Sequence, residues 1–147
     1  MKVQGVGHVV LKVRDLERSA RFYAGVLGLR EVARMDNRMA FFSAGANHHD
    51  LAVMAMGPEA PAPPPSAVGL AHVAFKIGDS LEALREARDK LEAHGVTIRG
   101  LRDHRVSQSV YAEDPDGNTI ELYVDTDPAI WAADPSAVAT VKPLTLG

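Results

Sequence analysis

The sequence predicts an α+β fold built from two βαβββ modules. Three observations carry that expectation. The first is an internal repeat: Gly5-Val6-Gly7-His8 returns as Gly69-Leu70-Ala71-His72, and the pairs Gly5/Gly69, His8/His72, Val13/Ile77 and Asp15/Asp79 are all 64 residues apart. The second is the hydrophobic period, which within each copy passes from strand-like to helical and back to strand-like. The third is a break between the copies that holds Pro58, Pro61, Pro63, Pro64 and Pro65. Proline cannot donate to a sheet ladder, so this stretch is an extended linker. Two copies of this length are not a solenoid and read as one paired unit. The expected layout is a single domain over 1–147: module one at about 4–57, the linker at 58–66, module two at about 67–124, and a tail at 125–147.

Taken in order, Val6–Val13 alternates as a strand, with Val9, Leu11 and Val13 on one face and His8, Val10 and Lys12 on the other. Asp15 is placed to cap a helix over about Leu16–Val26, whose apolar stripe is Leu16, Ala20, Tyr23 and Leu27. Gly28 stops that helix. Strands follow at Leu29–Met35 and Met39–Ser43 around an Asp36-Asn37 turn, and Leu51–Met56 closes the module after Asn47-His48-His49-Asp50.

Module two repeats this plan. Leu70–Ile77 alternates in the same phase, with His72, Ala74 and Lys76 on the face opposite Val73, Phe75 and Ile77. Asp79 or Ser80 caps a helix over about Leu81–His94, with Leu81, Leu84, Ala87, Arg88 and Leu91 along one side, and Gly95 ends it. His94 at that end interacts favourably with the helix dipole when charged. Strands are expected near Thr97–Leu101, Ser107–Glu113 and Thr119–Val124, the last two joined by the dense turn sequence Asp114-Pro115-Asp116-Gly117-Asn118. The tail holds the only tryptophan, Trp131, and is expected to wrap the body or reach a partner subunit.

Bulk properties narrow the function. The chain is 46% hydrophobic and 24% charged, ordinary for a globular domain, with a formal net charge of −3. No Lys/Arg cluster marks a nucleic-acid or membrane partner. There is no cysteine, so any metal must be held by histidine and carboxylate. The N-terminus lacks the apolar run of a signal peptide, which makes a cytoplasmic location the expectation.

His8 and His72 lie at equivalent repeat positions on the face away from the core. Glu121 lies on the last strand of module two, with Thr119 and Tyr123 on its face and Ile120, Leu122 and Val124 on the other. Two histidines and one carboxylate with further coordination positions open form the facial-triad pattern of non-haem Fe(2+) oxygenases. Aligning the last strands of the two modules sets Ile120 on Leu51 and Glu121 on Ala52, so module one offers no carboxylate there.

Gly5-x-x-His8, the Pro-rich boundary, Gly69-x-x-His72 and the run from Asp114 to Tyr123 together resemble the vicinal oxygen chelate superfamily, from about Gly5 to Val124. That group includes glyoxalase I, extradiol dioxygenases, fosfomycin-resistance transferases and bleomycin-binding proteins. The resemblance implies a cupped mixed sheet around a metal site, with His8, His72 and Glu121 as ligands. Glyoxalase I typically has a fourth ligand, a glutamate, where this chain has Ala52.

Within the superfamily the chain is most similar to the type I extradiol branch. His49-Asp50-Leu51-Ala52 resembles a segment whose histidine is an active-site acid/base. Tyr111 matches a tyrosine that donates a hydrogen bond near the substrate oxygens, and Asp103-His104-x-Val106-Ser107 resembles the stretch leading to it. The resemblance therefore implies catalytic roles for His49 and Tyr111 with His104 behind them, and Fe(2+) as the metal, with Mn(2+), Zn(2+) or Ni(2+) as alternatives. The substrates it implies are a catechol-like small molecule and O2. Many extradiol enzymes carry two such double modules and this chain has one; a single pair joined by a Pro-rich linker permits either internal closure or swapping between chains, so a homodimer is expected, with Trp131 as a contact. A glyoxalase-like lyase or isomerase, a thiol transferase and a small-molecule-binding resistance protein are the rival readings.

Overall fold

The computed structural model describes residues Met1–Gly147 and divides into two compact units, Met1–Ala67 and Val68–Gly147. No helix is long and apolar enough to cross a membrane.

In the first unit β1 (Val9–Val13) leads through Asp15 into α1 (Leu16–Ala20), and the chain continues as a π-helical turn over Arg21–Val26. Asp15 caps α1 by accepting a hydrogen bond from the Arg18 amide at 2.7 Å. The wider turn moves the buried stripe: Leu16, Ser19, Phe22 and Tyr23 are buried, whereas Ala20 and Leu27 of the expected stripe are half-exposed. Gly28 ends the helical run at φ 80°, a backbone state that costs glycine nothing. There follow β2 (Arg30–Met35), β3 (Met39–Ser43) and β4 (Leu51–Ala55).

The sheet order is β1-β4-β3-β2, with β1 parallel to β4 and the other pairs antiparallel. Leu11, Val13, Leu51 and Val53 fill the core on the helix side. The edge strand β2 is exposed along most of its length and carries Arg30 and Arg34, charges that discourage edge-to-edge pairing.

The second unit repeats the topology with β5 (Val73–Gly78), α2 (Leu81–Ala93), β6 (Ile98–Asp103), β7 (Ser107–Glu113) and β8 (Thr119–Asp125), in the order β5-β8-β7-β6 with β5 parallel to β8. Ser80 rather than Asp79 caps α2, its hydroxyl accepting from the Ala83 amide at 3.2 Å. In the Asp114–Asn118 turn the Asp114 carboxylate accepts from the Asp116 and Asn118 amides, each at 2.9 Å. Both modules place a bulge early in their second strand, at Glu31/Ala33 and at Ile98/Gly100. The mixed sheet is thus realised as two sheets, of four and five strands, one in each unit.

The start of the two His-bearing strands shifts, and the tail takes the first of its two expected placements. β1 and β5 begin at Val9 and Val73, so His8 and His72 sit just before their strands rather than within them. The tail is ordered and docks on its own module. It forms α3 (Pro128–Ala133), a 3-10 turn over Pro135–Ala139 and a short β9 (Lys142–Pro143) that pairs with Arg102 and Asp103 at the free edge of β6. Ala137 and Leu146 are buried there.

Candidate metal centre

The strand register aligns the two modules independently of the sequence repeat. Val10 pairs with Ala52 in module one, and Ala74 pairs with Glu121 in module two. Ala52 and Glu121 are therefore equivalent positions, as the last-strand alignment expects. The next strand extends the equivalence, since Phe41 pairs with Ala52 and Tyr111 pairs with Glu121.

In module two Glu121 is 7% exposed, and a carboxylate that buried needs partners. It has two. Ser109 Oγ donates to Glu121 Oε1 at 2.5 Å, and His72 Nε2 lies 3.0 Å from Glu121 Oε2. Ser109 reaches the carboxylate because alternation on β7 sets Ser107, Ser109 and Tyr111 on one face, with Ser109 opposite Tyr123 and Tyr111 opposite Glu121.

The His72–Glu121 separation matches the roughly 3 Å between neighbouring donors that each lie about 2.1 Å from one ion. An imidazole nitrogen, a carboxylate oxygen and a hydroxyl behind the carboxylate are donors suited to a divalent metal, with Ser109 as the outer partner that orients the ligand. Neither unit by itself gathers three His, Asp or Glu side chains into a metal-binding group.

Tyr111 stands edge-on to His72, with ring centroids 5.6 Å apart at 87°. Its hydroxyl is 2.9 Å from His104 Nε2, while His104 Nδ1 is 2.9 Å from the Thr140 carbonyl oxygen. A carbonyl only accepts, so His104 Nδ1 carries the hydrogen. In the neutral ring Nε2 is then the acceptor, and the phenol donates to it. Burial, aided by the nearby Glu121 carboxylate, pushes the Tyr111 phenol up to about 12, so it stays protonated at neutral pH. Tyr111 accordingly gives its hydrogen to His104 and keeps oxygen lone pairs for other partners.

In module one His8, His48 and His49 form a cluster of imidazoles. The His8 and His49 rings lie 4.1 Å apart at 38°, and His48 Nδ1 is 2.6 Å from His49 Nδ1. Phe41 stands edge-on to His49 at 5.5 Å and 85°, much as Tyr111 stands to His72. Partial burial, then the fields of His8 and His48, hold the His49 pKa below the usual histidine range, with Asp50 opposing. The Asp50 carboxylate accepts from the Ala44 amide at 2.7 Å and closes the loop before β4. Ala52 is fully buried.

The fold therefore brings His72, Glu121, Tyr111 and His104 together in module two, and His8 and His49 together in module one. Sequence reasoning missed three participants. Ser109 was open to detection, since it shares the alternating face of Tyr111. His48 was seen only as part of a run, and its ring contact depends on the loop closed by Asp50. The Thr140 carbonyl leaves no side-chain signal at all.

Residues 5–122 match a family model described as the Glyoxalase/Bleomycin resistance protein/Dioxygenase superfamily. The chain is 36% identical over 130 residues to the catechol-2,3-dioxygenase of Bacillus subtilis (strain 168), an alignment covering 88% of this chain and 44% of that protein, so it spans less than half of that relative. It is 34% identical over 132 residues to the glutathione transferase FosA of Serratia marcescens, covering 89% of this chain and 88% of that protein. Among solved structures, a glyoxalase/dioxygenase from Nostoc punctiforme superposes with a TM-score of 0.71 at 25% identity, over 84% of this chain and 92% of that chain.

Proposed function

The chain belongs to the Glyoxalase/Bleomycin resistance protein/Dioxygenase superfamily, and from that membership we propose that it is an Fe(2+)-dependent extradiol dioxygenase acting on a catechol-like substrate. In this reading His8, His72 and Glu121 hold the metal, the two modules pair as one domain, and the protein is a cytoplasmic homodimer. The observation that carries the reading is the register equivalence of Ala52 and Glu121. One module supplies a carboxylate and the other a methyl group. Three protein ligands leave positions for both catechol oxygens and O2. A glyoxalase-like isomerase needs a second carboxylate at the metal, and Asp50, two residues before Ala52 on the same face, already accepts from the Ala44 amide.

A divalent metal there supplies Lewis acidity toward the two catechol oxygens and, as Fe(2+), a redox link between the ring and O2. The other steps fall to the protein. His49, whose pKa is held below the usual histidine range, would take a proton from the substrate and later return it to the product. Tyr111, anchored through His104, orients the bound oxygens by accepting from a substrate hydroxyl. Ser109 keeps Glu121 oriented and so limits reorganisation of the site.

Similarity to the FosA transferase favours a second reading, a metal-dependent thiol transferase with the same three ligands. Anaerobic loading with Fe(2+), followed by oxygen uptake on a catechol panel, separates the two. Uptake with a ring-opened yellow product is the expected result. No uptake with any catechol, together with metal-dependent glutathione transfer, would replace the dioxygenase with the transferase.

A further inference from the structure

Module two contains a cavity of about 390 Å³ between its sheet and its tail. Val106, Tyr123, Trp131, Pro135 and Val138 supply apolar wall, and Ser107 and Asp125 stand on the sheet side. No lysine or arginine lines it. The Asp125 carboxylate is bound by Lys76 Nζ at 2.8 Å, so the wall carries a tethered negative group.

The position of the cavity follows from the register. Tyr111 pairs with Glu121, Ser109 with Tyr123 and Ser107 with Asp125, and all six lie on one face. Successive rows on that face are about 6.6–6.8 Å apart. The Tyr111/Glu121 row belongs to the candidate metal centre, and the cavity begins with Tyr123 in the very next row. A substituent of three or four atoms on a ring held at Glu121 spans that step. The pocket is open to solvent along Trp131 and Val138, which are more than half exposed, and it has room for a short chain or a ring laid against Tyr123.

From this continuity we infer that the tail pocket binds an apolar alkyl or aryl substituent of the substrate, so that the preferred catechols are those carrying such a group. The inference rests on the proposed binding of a catechol at the metal centre. An acidic substituent would meet the Asp125 carboxylate without a free cation in the wall. Each buried methylene strengthens binding about fourfold, so a propyl group gives at least a tenfold gain over catechol.

Trp131 is the only tryptophan in the chain, so its emission reports on this pocket whether or not turnover occurs. The test titrates the full-length metal-loaded protein, without O2, with catechol, 3-propylcatechol, 2,3-dihydroxybenzoate and the dimethyl ether of 3-propylcatechol, which cannot chelate. The expected result is a Trp131 emission change with 3-propylcatechol at a Kd at least tenfold below that of catechol, a weaker response to the ether, and none to the benzoate. Val138 is an exposed position, and Val138→Glu should bring the affinity for 3-propylcatechol down toward that for catechol.

Equal affinity for catechol and 3-propylcatechol, or a propyl preference that survives Val138→Glu, overturns the pocket even if oxygen uptake upholds the dioxygenase. Emission that shifts with protein concentration alone assigns Trp131 to a contact between copies and overturns it too. A tenfold propyl preference with no oxygen uptake sustains the pocket and removes the dioxygenase reading.

Discussion

Where module two carries Ser109, Tyr111 and Glu121, module one carries Met39, Phe41 and Ala52 at the equivalent register positions. The strand order, the parallel outer pair and the bulge in the second strand are common to both. Each module also sets an aromatic ring edge-on to a histidine, Phe41 to His49 and Tyr111 to His72. The frame therefore repeats while its chemistry does not. Module two pairs its histidine with a buried carboxylate, whereas module one surrounds His49 with other imidazoles and has no acid at the strand position. A repeated frame thus carries a buried carboxylate in one half and a cluster of imidazoles in the other.

The sharpest way to break this comparison is to exchange the two key positions. Glu121→Ala should abolish metal binding and lower oxygen-uptake activity about 10³-fold or more, because several kcal/mol of charge stabilisation go with the metal. Elemental analysis and oxygen-electrode rates check it. Ala52→Glu should retain metal yet lose oxygen uptake, since a fourth protein ligand takes a substrate position. Full activity in Ala52→Glu would mean that the two positions are not functionally equivalent.

The next effect is at His49. His49→Ala leaves the metal ligands in place, so iron content should stay at wild-type level while turnover falls about 10²–10⁴-fold. Loss of iron along with activity would instead assign His49 a ligand role. Tyr111→Phe gives module two the residue that module one already has, and leaves His104 Nε2 without its donor. The expected cost is about 1 kcal/mol of stability, the low end for an unpaired polar group because His104 is half-buried. Phe41→Tyr should change the urea midpoint little, which makes the reciprocal pair a test of whether the hydroxyl matters only where His104 awaits it.

The smallest effects concern the helix caps. Asp15→Ala should cost about 1 kcal/mol, and Ser80→Ala less, because Asp15 accepts at 2.7 Å with an ionised group and Ser80 at 3.2 Å with a neutral one. Thermal melts of the two variants rank them directly.

Much of the frame was legible in the sequence because it rests on local rules. Alternation identified the strand faces, Asp15 and Gly28 bracketed the first helical run, and β3 and β7 fall on their expected residues. The π-helical turn was not legible, because it reflects how Phe22 and Tyr23 are both brought into the core rather than any spacing in the chain. At the site, Glu121 stood out as an acid on an apolar strand, and its contact with His72 depends on the parallel pairing of β5 and β8, which strand alternation alone does not specify. The tail's contact with His104 was hidden for a different reason. Its hydrogen bond to His104 comes from a backbone carbonyl, which every residue possesses.

That carbonyl also fixes an order of events. Polypeptides are made from the N-terminus and fold domain by domain as they emerge. Every strand of module one is synthesised before Ala67, so its sheet can close early. In module two β5 waits for β8 before it has a neighbour, and the His104–Tyr111 pair waits for Thr140. A nascent chain that ends short of Thr140 therefore lacks both β9 and the Tyr111 anchor, and the same tail segment completes the second sheet and the hydrogen bond to one imidazole.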